Sequence, residues 1–344
     1  MTNSLESNTS TKKYNRRHFL KGLGLATGGA LLGASGMWQG LNWWYDIQQS
    51  SPNSPREGVA VPSTTATTPS GIRIHHIQTG FVAVKSVHLD YDDTEGRGIP
   101  AIATDPNWGN WLPVTVWVIE HPEGVIVIDT GEDPKVNDPD YFACNPRSGF
   151  FYDSFLRLSI TPDEAINVQL ASLGIRPSDV RWVVQTHLHG DHVHGIQHFP
   201  QAQILMSGLD YPTSLGAVPC LYPDWLEPTL VNFQTDDTPV FARSYPLTQA
   251  RDVRIVPTPG HTNGHQSVVL FDEDYTYFFA GDTSRDEETM LGDTSQAIAV
   301  DPTNLRVTTT KIRQYAMENP TIYLPSHDDM SATRLVERAT VFHS

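Results

Sequence analysis

The segment that most constrains this chain is His187-Leu-His-Gly-Asp-His192, where four side chains that can bind metal fall within six residues. Imidazoles and carboxylates are ligands for zinc and similar divalent ions. Three further side chains of these kinds follow apolar runs later in the chain, at His261, Asp282 and His327. Five histidines and two aspartates are enough to hold two metal ions around one shared carboxylate. The sequence therefore predicts a metal centre.

Each of these segments follows a run that is typical of a buried strand. The runs are Arg181–Gln185 before His187, Val253–Val256 before His261, Tyr275–Phe279 before Asp282, and a run at Ile322 before His327. Ligand sites in layered α/β folds favour the C-terminal ends of strands. We therefore expect four strand ends to bring the predicted ligands together.

The order of the motifs resembles the metallo-β-lactamase superfamily. The chain carries HxHxDH, PGHTxGH, GDT and PSHD in that order. The segment Thr258–Ser267 and the pair His327-Asp328 most resemble the N-acyl homoserine lactone lactonase branch. The resemblance implies an α/β fold, a four-layer αββα sandwich, over residues 71–344.

The resemblance also implies a division of the ligands between two divalent ions, most simply zinc. The first ion is expected at His187, His189 and His261, and the second at Asp191, His192 and His327, with Asp282 bridging the two. A hydroxide shared by the two cations is then the expected nucleophile. Asp191 is expected to protonate the departing alkoxide.

One position departs from the lactonase pattern. Many lactonases of this branch have a tyrosine three residues after the bridging aspartate, and this chain has Arg285 there. Arg285 could stabilise the developing oxyanion, or it could form a surface ion pair with Asp286 or Glu287. Tyr211 and Tyr222 are alternative donors.

Two other polar residues are candidates for orienting the ligands. Ligating imidazoles usually need a hydrogen-bond acceptor at the nitrogen that faces away from the metal, and Asp129 and His265 are placed to serve the ligands in this way. For Asp129, a plain turn role before Gly131 stays open. No ligand role is predicted for the remaining candidates His75, His76, His194 and His198.

The amino terminus carries an export signal by resemblance. Asn15-Arg-Arg-His-Phe-Leu-Lys21 precedes the uncharged segment Gly22–Met37 and resembles a twin-arginine signal within residues 1–45. The alternative is a chance basic segment before a short apolar helix. The signal implies the twin-arginine export machinery as a partner and a periplasmic or secreted location. Trp38, Trp43 and Trp44 would suit a membrane interface if the signal stays uncleaved, which would leave the protein anchored.

The rest of the chain is expected to be a linker and one domain. Residues 46–70 are rich in Ser, Thr and Pro, and we expect them to be disordered. Cys144 and Cys220 lack metal-site spacing, and whether they pair outside the cytoplasm is open.

Pattern and capping residues predict the elements of residues 71–344. Strands are expected at Ile72–Gln78, Phe81–Val87, Pro113–Glu120 and Val125–Asp129, before any clear helix. Helices are expected at Thr161–Leu173, with a Thr161/Glu164 capping box and Gly174 after its end, and at Thr303–Glu318 and Ala332–Val341. The irregular segments Leu89–Leu112 and Ser207–Thr248 are candidate walls of a substrate pocket.

Charge narrows the class of substrate. The chain has 23 Lys and Arg against 39 Asp and Glu, a net charge of −16. An acidic domain repels polyanions, so nucleic acid is not an expected partner and the nucleic-acid-cleaving members of the superfamily are poor matches. His189 occupies a place where the superfamily's di-iron redox members have a carboxylate, so redox chemistry is not expected.

Together these features predict a dimetal hydrolase that opens the lactone ring of N-acyl homoserine lactones or related small neutral lactones. The alternatives are hydrolysis of another ester, a thioester or a β-lactam, and a non-catalytic metal-binding protein. Asp282 argues against the β-lactamases proper, and Asn304–Ser344 offers no obvious basic region for glutathione. Whether the chain forms a homodimer stays open.

Overall fold

Two mixed β-sheets form the centre of this computed structural model. The structure describes residues 52, 61–89, 98–235, 241–292 and 299–342, all within one unit, Ile47–Ser344. The predicted twin-arginine segment lies outside these residues. Within the described part, no helix has both the length and the apolar character needed to span a membrane.

Among the described residues, the first sheet has eight strands, in the order β1-β2-β3-β4-β6-β7-β8, with β5 paired to β2. Their bounds are β1 Thr64–Thr67, β2 Arg73–Val84, β3 Leu112–His121, β4 Gly124–Ile128, β5 Leu156–Ser159, β6 Val180–Val184, β7 Gln203–Ser207 and β8 Thr229–Val231. Pairing is antiparallel from β1 to β4 and parallel from β4 to β8.

The second sheet, as far as the structure describes the chain, has six strands, in the order β14-β13-β12-β11-β10-β9. Their bounds are β9 Gln234–Thr235, β10 Arg243–Pro246, β11 Val253–Pro257, β12 Gln266–Asp272, β13 Tyr275–Gly281 and β14 Thr321–Pro325. The pair β13 and β14 is parallel, and the other pairs described among these strands are antiparallel.

Helices join and cover these strands. Their bounds are α1 Ser86–Leu89, α2 Gly98–Thr104, α3 Pro146–Phe155, α4 Ile166–Ser172, α5 Gly190–Val193, α6 Glu287–Leu291, α7 Pro302–Glu318 and α8 Ser331–Glu337.

Alternating side chains produce the four layers that the sequence predicts. Because successive residues of a strand point to opposite faces, Ile126 of β4 and Ile255 of β11 enter one shared core between the sheets. Val127 instead packs outward with Leu170 of α4. Val256 packs outward with Ile312 of α7. The αββα sandwich is therefore confirmed.

Several predicted bounds need correction. The strands predicted at Ile72–Gln78 and Phe81–Val87 are one strand, β2, with a register irregularity between Gln78 and Phe81. The chain turns into α1 after Lys85, so two short helices precede β3. The helix predicted from Thr161 has its capping box, but Pro162–Glu164 form a 3-10 turn and Ala165 is non-helical, with ψ of 137°. The final helix ends at Glu337 because Arg338 adopts a left-handed conformation.

The linker prediction is wrong for Thr64–Thr67. These residues form β1, which pairs antiparallel with Arg73–His76 of β2. Asp272 of the second sheet accepts hydrogen bonds from Thr68 Oγ1 at 3.0 Å and from the backbone N–H of Ser70 at 3.2 Å. Backbone pairing does not require apolar side chains, so a Ser/Thr-rich segment can form an edge strand that its composition does not indicate.

Candidate metal centre

The predicted ligands converge at the C-terminal ends of strands from both sheets. His187 and His189 follow β6, and Asp191 and His192 lie in α5 directly after them. His261, Asp282 and His327 follow β11, β13 and β14. The backbone reaches these positions through tight turns. Gly281, at φ of +58°, precedes Asp282, and a Cβ there would lie 2.7 Å from Nε2 of His265. Glycine is therefore needed where β13 meets the site.

The side chains form two groups whose ligand atoms lie within 4.8 Å of one another. The first ligand group is His187, His189, His261 and Asp282, and the second is Asp191, His192 and His327. Asp282 also reaches the second group, since Oδ1 lies 3.4 Å from Nε2 of His192 and Oδ2 lies 3.3 Å from Nε2 of His327. Oδ2 lies 3.4 Å from Nε2 of His261 as well. The structure thus places Asp282 between the two groups.

The geometry fits divalent cations. Nδ1 of His189 lies 2.9 Å from Nε2 of His187 and 3.0 Å from Nε2 of His261. A ring nitrogen has a single lone pair and cannot accept two good hydrogen bonds at once. Nitrogen atoms that converge in this way, together with a carboxylate, form a donor set typical of zinc and related ions.

The opposite ring nitrogens of four of these histidines contact oxygen atoms. Such contacts fix the ring orientation and leave the other nitrogen directed at the site. They join His192 Nδ1 to Asp129 Oδ2 at 2.8 Å, His327 Nδ1 to Pro113 O at 2.8 Å, His189 Nε2 to Leu215 O at 3.0 Å, and His187 Nδ1 to Thr186 Oγ1 at 3.1 Å.

Asp129 and His265 lie where the sequence places supporting residues. Asp129 is a turn residue, at φ of +61°, and it is also an acceptor, because its carboxylate receives the Thr186 backbone N–H at 2.7 Å in addition to the His192 contact. The two readings of Asp129 are therefore compatible. Nε2 of His265 accepts the backbone N–H of Asp282 at 3.0 Å. Burial lowers the pKa of His265 to about 4, so the ring is neutral and can accept.

Burial and neighbouring charges shift the histidine pKa values of the two ligand groups differently. Burial lowers the pKa of His187 and of His261 well below the usual range. Burial also acts to lower the pKa of His192, but the carboxylates of Asp282, Asp191 and Asp129 raise it well above that range. The first ligand group therefore presents neutral imidazoles, and the second concentrates opposite charges.

A pocket opens beside both ligand groups. Its polar lining residues include His189, Asp191, His261, Asp282 and His327. Its lining also includes the apolar side chains of Val82, Val84, Leu112, Phe151 and Leu156, here called the apolar wall. The ends of the segment Leu89–Leu112 and Gly216 of the segment Ser207–Thr248 also line the pocket, as predicted for its walls.

Arg285 lines the pocket and also forms the ion pair with Asp286 that was considered for it. Its side chain lines the pocket, while Nε donates to Oδ2 of Asp286 at 2.7 Å and Nη1 donates to the backbone carbonyl of Leu89 at 3.2 Å. The ion pair with Asp286 therefore holds the guanidinium at the edge of the pocket and does not turn it away.

The tyrosine at the pocket is not one that the sequence singled out. Tyr211 and Tyr222 pack against the outer core cluster of the first sheet and are not among the lining residues. Tyr152 of α3 lines the pocket; its hydroxyl donates to Gly216 O and accepts from the backbone N–H of Gly190, both at 2.9 Å. The aromatic run Phe150–Tyr152 after the N-cap Asn145 was the available signal.

The other histidines without a predicted ligand role contact protein groups elsewhere. Nδ1 of His194 lies 2.7 Å from Glu132 Oε1, and Nε2 of His75 lies 2.7 Å from Glu120 Oε1. Neither belongs to a ligand group.

The two cysteines form a disulfide. Cys144 and Cys220 are 76 positions apart in sequence, with 6.1 Å between their Cα atoms. Cys144 lies just before α3, which carries Phe151 and Tyr152 of the pocket, and Cys220 lies four residues after Gly216. The bond therefore connects two segments that contribute lining residues.

Comparison with known proteins identifies the family that shares this architecture. The model of the Metallo-beta-lactamase superfamily matches residues 109–327. The N-acyl homoserine lactonase AttM of Azorhizobium caulinodans is 28% identical over 216 residues, covering 58% of this chain and 71% of the relative.

Solved structures share the fold. An N-acyl homoserine lactone hydrolase with N-hexanoyl-L-homoserine bound at its catalytic metal centre aligns with a TM-score of 0.61 and 19% identity, covering 79% of this chain and 96% of the other. AidC, a dizinc quorum-quenching lactonase, aligns with a TM-score of 0.55 and 14% identity, covering 78% and 91%. The family match spans more than half of the chain and contains every residue of both ligand groups, and the chain therefore belongs to the metallo-β-lactamase superfamily.

Proposed function

We propose that this protein is a dimetal hydrolase that opens the lactone ring of N-acyl homoserine lactones. The observation that carries the proposal is that residues of both ligand groups and of the apolar wall line one pocket. A reactive ester ring and an apolar acyl chain need these two surfaces side by side. The names of the relatives support this substrate class, and the dizinc neighbour AidC supports zinc.

The metals and the protein have separate tasks. When bound, two divalent ions supply Lewis acidity, which lowers the pKa of water toward neutrality and polarises the ester carbonyl. Water adds to the carbonyl carbon and the bond from that carbon to the ring oxygen breaks. One proton of the water goes to the ring oxygen and the other is released to solvent, so the products are a carboxylate, an alcohol and a proton. The two ligand groups would hold the ions, since their nitrogen and oxygen atoms already converge.

Asp191 moves the proton in this proposal. Its carboxylate lines the pocket, with Oδ2 lying 3.5 Å from Nε2 of His327 and 3.7 Å from Nε2 of His192. A carboxyl that lines the pocket can take a proton from the attacking water and return it to the departing ring oxygen. The alcohol product then leaves neutral.

Arg285 stabilises the carbonyl oxygen as negative charge develops on it. Its guanidinium is held by Asp286 and by the carbonyl of Leu89, so little ordering is required during the reaction. The apolar wall receives the acyl chain, which displaces water from the pocket.

A substrate panel tests the proposal. Metal-loaded protein is assayed with N-acyl homoserine lactones of several acyl lengths, a β-lactam, a glutathione thioester and an aryl phosphodiester. We expect chelator-sensitive hydrolysis of the lactones and faster turnover as the acyl chain lengthens. Turnover of another class without turnover of any lactone would assign a different hydrolase activity.

We further propose that the protein is exported by the twin-arginine route. Arg16 and Arg17 before an uncharged segment support this route, and the Cys144–Cys220 disulfide is typical of proteins in oxidising compartments. The double variant Arg16→Lys with Arg17→Lys should remain in the cytoplasm on a blot of cell fractions. Its appearance outside the cytoplasm would show that the segment is not a twin-arginine signal.

A further inference from the structure

His88 lines the substrate pocket but has no part in the metal centre or in the roles given to Asp191 and Arg285. It lies in α1, the helix that follows β2, and β2 carries Val82 and Val84 of the apolar wall. The next residue, Leu89, lines the pocket too and accepts the hydrogen bond from Arg285. His88 therefore belongs to a segment that contributes both apolar lining residues and the carbonyl that holds Arg285.

Several contacts fix the position of α1. The Asp105 carboxylate accepts hydrogen bonds from Ser86 Oγ at 2.8 Å and from the backbone N–H of Val87 at 2.7 Å. Gly109 packs beneath the helix, where a Cβ would lie 2.3 Å from Cδ1 of Leu89. A side chain on an element held in this way is positioned before any ligand arrives.

The charge state of His88 suits a neutral polar ligand. Burial lowers the pKa of His88 to about 4, and His327, His189 and Arg285 also lower it, against the opposing effect of Asp282. At neutral pH the ring has one N–H donor and one acceptor nitrogen. A secondary amide offers the complementary acceptor and donor.

We propose that His88 is a specificity-determining residue that hydrogen-bonds the amide of an N-acyl homoserine lactone. The amide of such a substrate lies between its lactone ring and its acyl chain, and His88 lines the same pocket as the ligand groups and the apolar wall, interacts electrostatically with Asp282, and follows Val84 closely along the chain. This inference rests on the proposed lactonase function. A lactone that carries an alkyl chain without an amide would gain nothing from His88.

The experiment compares two substrates in four proteins. The substrates are an N-acyl homoserine lactone and a γ-lactone with an alkyl chain of similar length and no amide. The proteins are the wild type, His88→Phe, His88→Gln, and the control His198→Phe. His198 is not among the pocket's lining residues, and its side chain is 26% exposed. Metal content and melting temperature are measured for each protein.

We expect His88→Phe to lower kcat/KM for the amide substrate by about tenfold or more, since a buried amide would lose its partner, and to leave the plain lactone within about threefold. His88→Gln keeps a donor and an acceptor and should recover most of the loss. The control should match the wild type. Calorimetric binding of the ring-opened product of each lactone should follow the same pattern.

Two outcomes overturn the role of His88 alone: an equal fall for both lactones, or no change for either. If wild-type protein with two bound metals hydrolyses neither lactone, the proposed function itself fails and this inference fails with it.

Discussion

Asp129 and His192 form a buried pair in which the carboxylate accepts a hydrogen bond from Nδ1 of the imidazole at 2.8 Å. The positive φ of Asp129 and the bond from the Thr186 backbone N–H aim this carboxylate at the ring. Nε2 of His192 is thereby left facing Asp282 and His327. Asp129 therefore orients the His192 ring, although Asp129 itself belongs to neither ligand group.

The substitution Asp129→Asn should weaken metal binding at the second ligand group. Loss of the charged acceptor frees the His192 ring, and changes of this kind typically cost about 10-fold to 100-fold in metal affinity. Competition titration with a coloured chelator measures the effect. The control Asp163→Asn changes an exposed carboxylate and should leave both affinities unaltered. Wild-type affinities in Asp129→Asn would contradict the role given to Asp129.

Asp282→Ala should reduce bound metal from about two ions per chain and abolish nearly all hydrolysis. The reason is that the two oxygens of Asp282 lie within 3.4 Å of nitrogen atoms from both ligand groups. Elemental analysis of purified protein gives the stoichiometry. Asp274→Ala, in the exposed turn before β13, is the matched control. Full occupancy and full rate in Asp282→Ala would exclude a bridging role.

Arg285→Ala should lower kcat about tenfold or more with metal content unchanged, because an oxyanion donor is lost. Arg285→Lys should restore part of the rate, since it keeps the charge but not the planar hydrogen-bond geometry. Arg176→Ala removes a surface arginine paired with Asp179 and should change the rate less than about twofold. If Arg285→Ala also stays within about twofold, Arg285 has no part in the reaction.

The free energy of unfolding should fall at acid pH, partly because Asp252 becomes protonated. Burial raises the pKa of this carboxyl, but hydrogen bonds from Thr248 and His121 outweigh burial and hold the pKa below the ordinary value of 3.8. The folded chain then binds this proton more weakly than the unfolded chain. The resulting stabilisation is present above the ordinary pKa and is lost as pH falls through the lowered value.

Asp252→Asn should therefore have a lower free energy of unfolding than the wild type near neutral pH, and the difference should shrink below the ordinary pKa. Denaturant unfolding across this range, at matched metal content, measures it. Asp274→Asn should follow the wild type throughout. A gap between Asp252→Asn and the wild type that does not change with pH would show that the carboxylate charge is not responsible.

Local pattern was enough to predict the segments that carry the ligands, whereas the four-layer fold was implied by the resemblance to the superfamily. All seven predicted ligands belong to the two ligand groups because their segments follow strands, and the sheet fixes where a strand ends. Helix α7 has nearly its predicted bounds, since Asp301 caps its first turn and Asn319 follows its last residue.

The pocket residues that escaped prediction reach it through tertiary packing. His88 is brought there by the contacts of α1 with Asp105 and Gly109, and Tyr152 by its bonds to Gly190 and Gly216. None of these contacts produces a periodic pattern in the sequence from which it could be predicted. Strand β1 was not predicted for a related reason. It depends on backbone pairing with β2 and on a hydrogen bond to Asp272, which is distant in sequence.

Neither ligand group belongs to one sheet alone. His187 and His189 come from the first sheet while His261 and Asp282 come from the second, and the second ligand group is divided in the same way. Each half of the chain by itself presents only an incomplete set of donors. Tight metal binding must therefore wait until the sheets have docked, and the free energy of binding then opposes their separation. A chain with both metal ions bound would therefore be one whose two sheets have docked, in whichever cellular compartment the chain folds.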